Sequence, residues 1–173
     1  MLPSLTFVLG GAASGKSQTA ETLIINSALN PVYLATARIR DDEVQAKVDQ
    51  HRARRGPEWT TLNAPLDIMA PLSLATSDQA VLLDCATMWL TNVILDEQDL
   101  KAAQTALLTA LATCAAPVVV VSNEIGQGIV PDNALARRFR EAQGRLNIAL
   151  AAQADHVLHV VAGLTRTLKG DGS

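Results

Sequence analysis

Short runs of branched apolar residues alternate along the chain with longer stretches whose apolar positions recur at helical spacing. Leu5 to Leu9 predicts a first strand and Lys16 to Leu29 a helix after it. Val32 to Ala35 predicts a second strand. Asp42 and Gln45 stand at the spacing of a capping box, so a helix is expected from there to Arg54, stopped by Gly56 and Pro57. Trp59 to Leu62 reads as a short strand and Pro65 to Leu74 as a helix. Val81 to Asp84 is a strand that ends on an acid, followed by helices over Met88 to Leu95 and Leu100 to Thr113. Val118 to Val121 is apolar at every position, which requires cover on both faces and so a parallel sheet. Asn133 to Ala151 is the longest predicted helix. Its apolar stripe runs through Ala134, Leu135, Phe139, Leu146 and Leu150, with Arg137, Arg138, Arg140 and Arg145 elsewhere. Val157 to Val161 is expected to be the last strand, with the tail from Lys169 frayed. Strand and helix in alternation predict an α/β fold, a mostly parallel wound sheet flanked by helices in one domain over residues 1–173.

Composition narrows the class. Of 173 residues, 49% are hydrophobic and 18% charged, enough for a full core and too few charges for a disordered chain. Aromatic residues are only 3%, so the core must rest on Ala, Val, Leu and Ile. A net charge of -3 argues against nucleic acid as a partner, which would need a basic surface. Cys85 and Cys114 lie in apolar surroundings without metal-ligand spacing, as in a reduced, cytoplasmic protein. No signal peptide is expected from the N-terminal residues. The 22 uncharged residues from Ala102 to Asn123 are divided by Pro117 into a helix and a strand, so no membrane span is expected.

One motif stands in a context that supports it. Gly10, Gly11, Ala12, Ala13, Ser14, Gly15, Lys16 and Ser17 match the G-x-x-x-x-G-K-[ST] phosphate loop between a predicted strand and a predicted helix. Glycines let successive N–H groups point inward at phosphate oxygens, and the helix that follows presents its positive end. Lys16 has the reach for the β- and γ-phosphates, and Ser17 offers a hydroxyl to Mg²⁺. Asp84, at the end of its strand, suits a second Mg²⁺ contact; the alternative is a cap on the next helix.

A second cluster is less specific. His51 shares a helix face with Val44 and Val48, and Arg52, Arg54 and Arg55 follow it, with Arg38 and Arg40 beyond the second strand. In an acidic protein this is a local cationic patch suited to a triphosphate, and a neutral imidazole can carry a phosphoryl group as a phosphoramidate. The alternative is a solvated helix end whose cations favour the dipole. His156 and His159 read as packing or edge residues on opposite strand faces.

These stretches together resemble the bifunctional adenosylcobinamide kinase/adenosylcobinamide-phosphate guanylyltransferases of cobalamin biosynthesis. The resemblance runs from Leu5 to Lys169. It includes the phosphate loop, Val32 to Ala37, Asp41 to Glu43, Gln50 to Arg55 with Trp59, Asp84 to Asn92, Ser122 to Pro131, Asn133 to Arg140, Gly144 to Asn147 and Val160 to Leu164. The Asn123-Glu-Ile-Gly-Gln-Gly-Ile-Val-Pro131 run is its most specific part.

The resemblance implies a P-loop fold and two reactions. Adenosylcobinamide is phosphorylated from ATP or GTP; GTP then forms a histidine–GMP intermediate, and the GMP passes to adenosylcobinamide phosphate, giving adenosylcobinamide-GDP. It assigns the guanylylated histidine to His51. Nucleotide contacts fall to the phosphate loop, Thr36, Ala37, Arg38, Arg52, Ala53, Arg54, Arg55, Asn63 and Asp84, with Ser17 and Asp84 at Mg²⁺. A homo-oligomer, a trimer, is implied as well. Two positions depart from the family pattern: Ala13 stands where many members carry Arg, and Asn63 where an acid is frequent, which predicts a weaker guanine preference. Glu124 either orients a substrate hydroxyl or caps its glycine loop. Competing readings are a small-molecule P-loop kinase without guanylyl transfer and a regulatory nucleotide switch.

Overall fold

The computed structural model describes residues 1–38 and 55–170. The expected capped helix at 42–54, with His51, Arg52, Ala53 and Arg54, lies outside the described residues, as does Arg40. The strands are β1 (Leu5–Gly10), β2 (Asn30–Ala35), β3 (Thr60–Asn63), β4 (Gln79–Asp84), β5 (Val118–Asn123), β6 (His156–Val161) and β7 (Leu164–Lys169). The described helices are α1 (Lys16–Asn26), α2 (Met69–Leu74), α3 (Ala86–Leu95), α4 (Leu100–Thr113) and α5 (Ala134–Gln153). The seven strands form one sheet in the order β3-β2-β4-β5-β1-β6-β7. Every pairing is parallel except that of β6 with β7. This is the wound α/β sheet that the residue pattern predicts.

Pleating sorts the strand residues into two layers. Phe7, Val81, Leu83, Val118 and Val120 pack with Trp89 and Val93 of α3, Leu107 and Leu111 of α4, and Leu146 and Leu150 of α5. Val8, Leu82, Val119, Val121, Leu158 and Val160 face the opposite way and meet Ala20 and Ile24 of α1. Val118 to Val121 are fully buried, each strand face having its own helical cover.

Four expectations are corrected. Val161 does not end the last strand: Ala162 and Gly163, at φ 51° and 77°, form a two-residue turn into β7. That geometry matches the right-handed twist of a hairpin. The helix expected from Pro65 starts only at Met69, because Ala70 N–H is taken by the Asp67 side chain at 3.1 Å. Pro71 is tolerated there, since first-turn N–H groups have no partner within the helix. The first helix stops at Asn26 rather than Leu29; Ala28 turns to φ 58° and Asn30 already belongs to β2. Leu135, expected on the apolar stripe of α5, is 53% exposed, and the buried line runs through Gln143, Leu146 and Leu150.

Candidate nucleotide and acceptor site

The C-terminal ends of the parallel strands meet at one edge, where wound sheets bind ligands. Register fixes the neighbours there: Gly10 pairs with Asn123, Asp84 with both Val121 and Ala35, and Ala35 with Asn63. Residues far apart in sequence are thereby brought to the same edge by backbone hydrogen bonding alone.

The phosphate loop leaves β1 at this edge and enters α1 at Lys16. Ala13 and Gly15 take positive φ values of 53° and 94°, which curls the chain. Gly10 permits a close approach: a Cβ there would lie 2.6 Å from the Val160 carbonyl oxygen and 2.5 Å from Ser14 Oγ. The β6–β7 turn supports the loop from outside, Gly163 N–H donating to the Ser14 carbonyl at 2.8 Å. Lys16 is 9% exposed, and its Nζ donates to the Gly11 carbonyl at 2.9 Å. Burial pushes its pKa down, opposed by the nearby Cys85 and Asp84. A triphosphate laid along the loop would supply the counter-charge that this ammonium lacks.

Asp84 closes β4 beside it. The cap of α3 is Cys85, whose Sγ accepts from Met88 N–H, so the carboxylate is not spent on that helix. Asp84 Oδ2 is buried without a hydrogen-bond partner. A shielded carboxylate oxygen and the hydroxyl of Ser17, the second residue of α1, are hard oxygen donors of the kind that Mg²⁺ takes. Burial pushes the Cys85 thiol up to about 12, which keeps it neutral.

The remaining expected contacts differ in state. Thr36 is fully buried; its hydroxyl donates to the Cys85 carbonyl and accepts from Cys85 N–H, both at 2.8 Å. Asn92 Nδ2 bridges the carbonyls of Thr36 and Pro65, at 2.8 Å each. Thr36 thus ties the end of β2 to the residue after Asp84. Arg38 makes a two-pronged ion pair with Asp96, at 2.6 and 2.7 Å. Arg55 stacks its guanidinium 3.3 Å from the centre of the Tyr33 ring, and its Nε and Nη1 are buried without acceptors. Asn63 ends β3 at the same edge, exposed.

The segment after β5 holds residues whose arrangement the sequence did not disclose. Glu124 N–H donates to the Gly10 carbonyl at 3.0 Å. Its Oε1 accepts from Gln127 Nε2 at 2.7 Å, and its Oε2 lies 3.1 Å from His159 Nε2. Beneath it, a buried polar cluster pins β5 to α3 and α5. Thr87 Oγ1 accepts from Asn123 N–H at 2.8 Å, Asn147 Nδ2 donates to the Asn123 carbonyl at 3.1 Å, and Ser122 Oγ donates to Asn147 Oδ1 at 2.7 Å. Gln143 donates to both Ser122 Oγ and Asn147 Oδ1 at 2.9 Å. Further out, Arg137 and Arg140 of α5 hold carbonyls of the 126–132 loop, among them those of Gly126, Gly128 and Pro131.

A mostly parallel sheet with a glycine loop entering a helix and an acid closing a neighbouring strand defines a P-loop nucleoside-triphosphate-binding protein. Two solved structures share the fold: a protein of Pyrococcus horikoshii OT3, with TM-score 0.60 at 10% identity, covers 100% of this chain and 90% of its own. A prototypical ATPase of a bacterial type III secretion system has TM-score 0.57 at 9% identity, over 95% of this chain and 57% of that one. Sequence comparison goes further. The chain belongs to the cobinamide kinase / cobinamide phosphate guanyltransferase family, whose model matches residues 6–168. It is 43% identical to the bifunctional adenosylcobalamin biosynthesis protein CobP of Pseudomonas aeruginosa, over 95% of this chain and 96% of that one. Identity is 40% with the CobU protein of Salmonella typhimurium and 38% with that of Escherichia coli K12, in each case over 95% of this chain and 99% of the relative.

Proposed function

We propose that this chain phosphorylates adenosylcobinamide from ATP or GTP and then passes GMP from GTP, through a histidine–GMP intermediate, to adenosylcobinamide phosphate. Family membership over residues 6–168 supports the pair of reactions. The observation that carries the nucleotide assignment is the phosphate loop itself, with the buried Lys16 side chain inside it and the unpartnered Asp84 Oδ2 at the same edge. Among the described residues no helix is long and apolar enough to cross a membrane.

The loop amides and Lys16 bind the triphosphate and orient it. Ser17 and Asp84 hold Mg²⁺, which when bound offsets charge on the phosphate oxygens. His51 is the nucleophile: its neutral imidazole nitrogen attacks the α-phosphorus and pyrophosphate leaves, so that one difficult transfer becomes two easier ones. Arg38, Arg52, Arg54 and Arg55 supply positive charge around the phosphates, Arg55 from its seat on Tyr33. Thr36, Ala37, Ala53 and Asn63 complete the nucleotide contacts, and Asn63, able to accept only through its amide oxygen, relaxes the preference for guanine. The assembly is a homotrimer.

The test is incubation with α-³²P-GTP and Mg²⁺. The protein is expected to take up an acid-labile, base-stable label, and His51→Ala to abolish it. Label that survives in this variant overturns the nucleophile assignment. Absence of label in a protein that still phosphorylates adenosylcobinamide leaves a plain kinase. Light scattering that gives a monomer refutes the trimer.

A further inference from the structure

The two proposed half-reactions differ in their protons. In guanylyl transfer the acceptors are a neutral imidazole and then a phosphate oxygen, neither of which must lose a proton to attack. In phosphoryl transfer the acceptor is an alcohol, whose O–H bond has to break. A base is therefore needed in one half-reaction only, and the phosphate loop, which offers amide donors and an ammonium, does not supply it.

Glu124 has the placement of such a base. It follows β5, the strand between the phosphate-loop strand β1 and the Asp84 strand β4. Its own N–H is bonded to Gly10, the first residue of the loop. Both backbone polar groups of the preceding residue are held, Asn123 N–H by Thr87 and the Asn123 carbonyl by Asn147. The carboxylate is held in turn, Oε1 by Gln127 and Oε2 by His159. Its side chain nevertheless remains 30% exposed, and each oxygen keeps a lone pair for an incoming hydroxyl. His159 is aligned with Leu9 on the far side of β1, so the Glu124–His159 pair spans the end of the phosphate-loop strand. A group fixed at backbone, peptide and both oxygens, yet open to solvent, is pre-organised for an acceptor.

Resting on the function proposed above, we propose that Glu124 is the general base of the phosphoryl-transfer half-reaction and that His159 is its positioning residue. The substrate hydroxyl proton moves to a Glu124 oxygen as the hydroxyl oxygen bonds to the γ-phosphorus. The bond from that phosphorus to the β–γ bridging oxygen breaks, and the nucleoside diphosphate leaves with the electron pair. The neutral carboxyl returns its proton to solvent before the next turnover.

Glu124→Gln keeps the shape of the side chain and one acceptor oxygen but cannot take the proton. With adenosylcobinamide, ATP and Mg²⁺, it is expected to lower kcat for phosphorylation about 100-fold or more while KM for both substrates shifts less than about threefold. Its labelling by α-³²P-GTP should change less than about threefold, since that step needs no base. His159→Leu should lower phosphorylation about tenfold or more through a misplaced carboxylate, and His159→Gln, whose amide can still donate to Oε2, should restore most of it. Phosphorylation by Glu124→Gln within threefold of the wild type overturns the inference. So does a parallel fall of phosphorylation and labelling, which marks Glu124 as a loop anchor. Wild-type protein that labels with GMP but leaves adenosylcobinamide unphosphorylated refutes the function and this inference with it.

Discussion

Gly10 and Gly11 stand side by side in the phosphate loop, yet the structure predicts very different responses to an added methyl group. At Gly10 the new Cβ would lie 2.5 Å from Ser14 Oγ and 2.6 Å from the Val160 carbonyl oxygen. The serine can rotate away; the carbonyl is part of β6 and cannot, because Val160 is held between β1 and β7. At Gly11 nothing lies within 4 Å. Overpacking against fixed backbone costs about 1–3 kcal/mol. For a domain of this size that lowers Tm by about 2–12 °C. The strain is centred where the loop leaves β1, so triphosphate affinity should fall along with stability. Thermal unfolding and titration with a non-hydrolysable ATP analogue measure the two effects. Gly11→Ala serves as the matched control and should sit close to the wild type in Tm. If Gly10→Ala unfolds at the same temperature and binds the analogue as tightly as Gly11→Ala, the close packing of β6 on the loop is refuted.

Other perturbations have equally specific outcomes. Lys16→Ala should depress both half-reactions by about 100-fold or more, as removal of a pre-organised charge at the phosphates does, and unchanged rates would discredit the loop assignment. Asn92→Ala leaves the Thr36 and Pro65 carbonyls without their shared donor and should cost about 1–3 kcal/mol in urea unfolding; a smaller loss would mean that the ends of β2 and β3 are held by other bonds. Cys85, pushed up to about 12 and buried, holds its proton through neutral pH, so a thiol reagent at pH 8 should react with Cys114 first and with Cys85 only on unfolding. Rapid reaction of both thiols in the native protein would contradict the burial of Cys85. Gly163→Val places a β-branched residue at φ 77° in the turn that props Ser14, and should weaken analogue binding without changing any residue of the phosphate loop.

The phosphate loop is legible from the sequence because its meaning is local: eight consecutive residues, a strand before and a helix after. The central strands β1, β2, β4 and β5 are legible for a similar reason, since burial on two faces favours apolar runs such as Val118 to Val121. β7 escapes notice because all six of its residues are exposed, so it carries no buried period. Its turn is disguised as well, with Ala162 at φ 51° where Asn, Asp or Gly would ordinarily signal a hairpin. The strand assignment nevertheless matters to the site, because the turn into β7 carries the Gly163 amide that holds Ser14.

His159 illustrates a different obstacle. Alternation along β6 correctly sets it on the face opposite Leu158 and Val160, and from there a packing role is the natural reading. What gives it chemistry is Glu124, 35 residues earlier in the chain and brought near by the order β5-β1-β6. No local pattern encodes that meeting. A weaker signal was present in α5, where Gln143 and Asn147 interrupt an otherwise apolar buried line. Gln143 is buried and Asn147 half-buried, and their N–H groups would cost free energy there without acceptors, so their presence implied polar groups across the interface, although Gln143 Oε1 itself stays unpaired. Ser122 and the backbone of Asn123 are those groups, and the helix that covers the sheet is thereby made to fix the residue from which Glu124 projects.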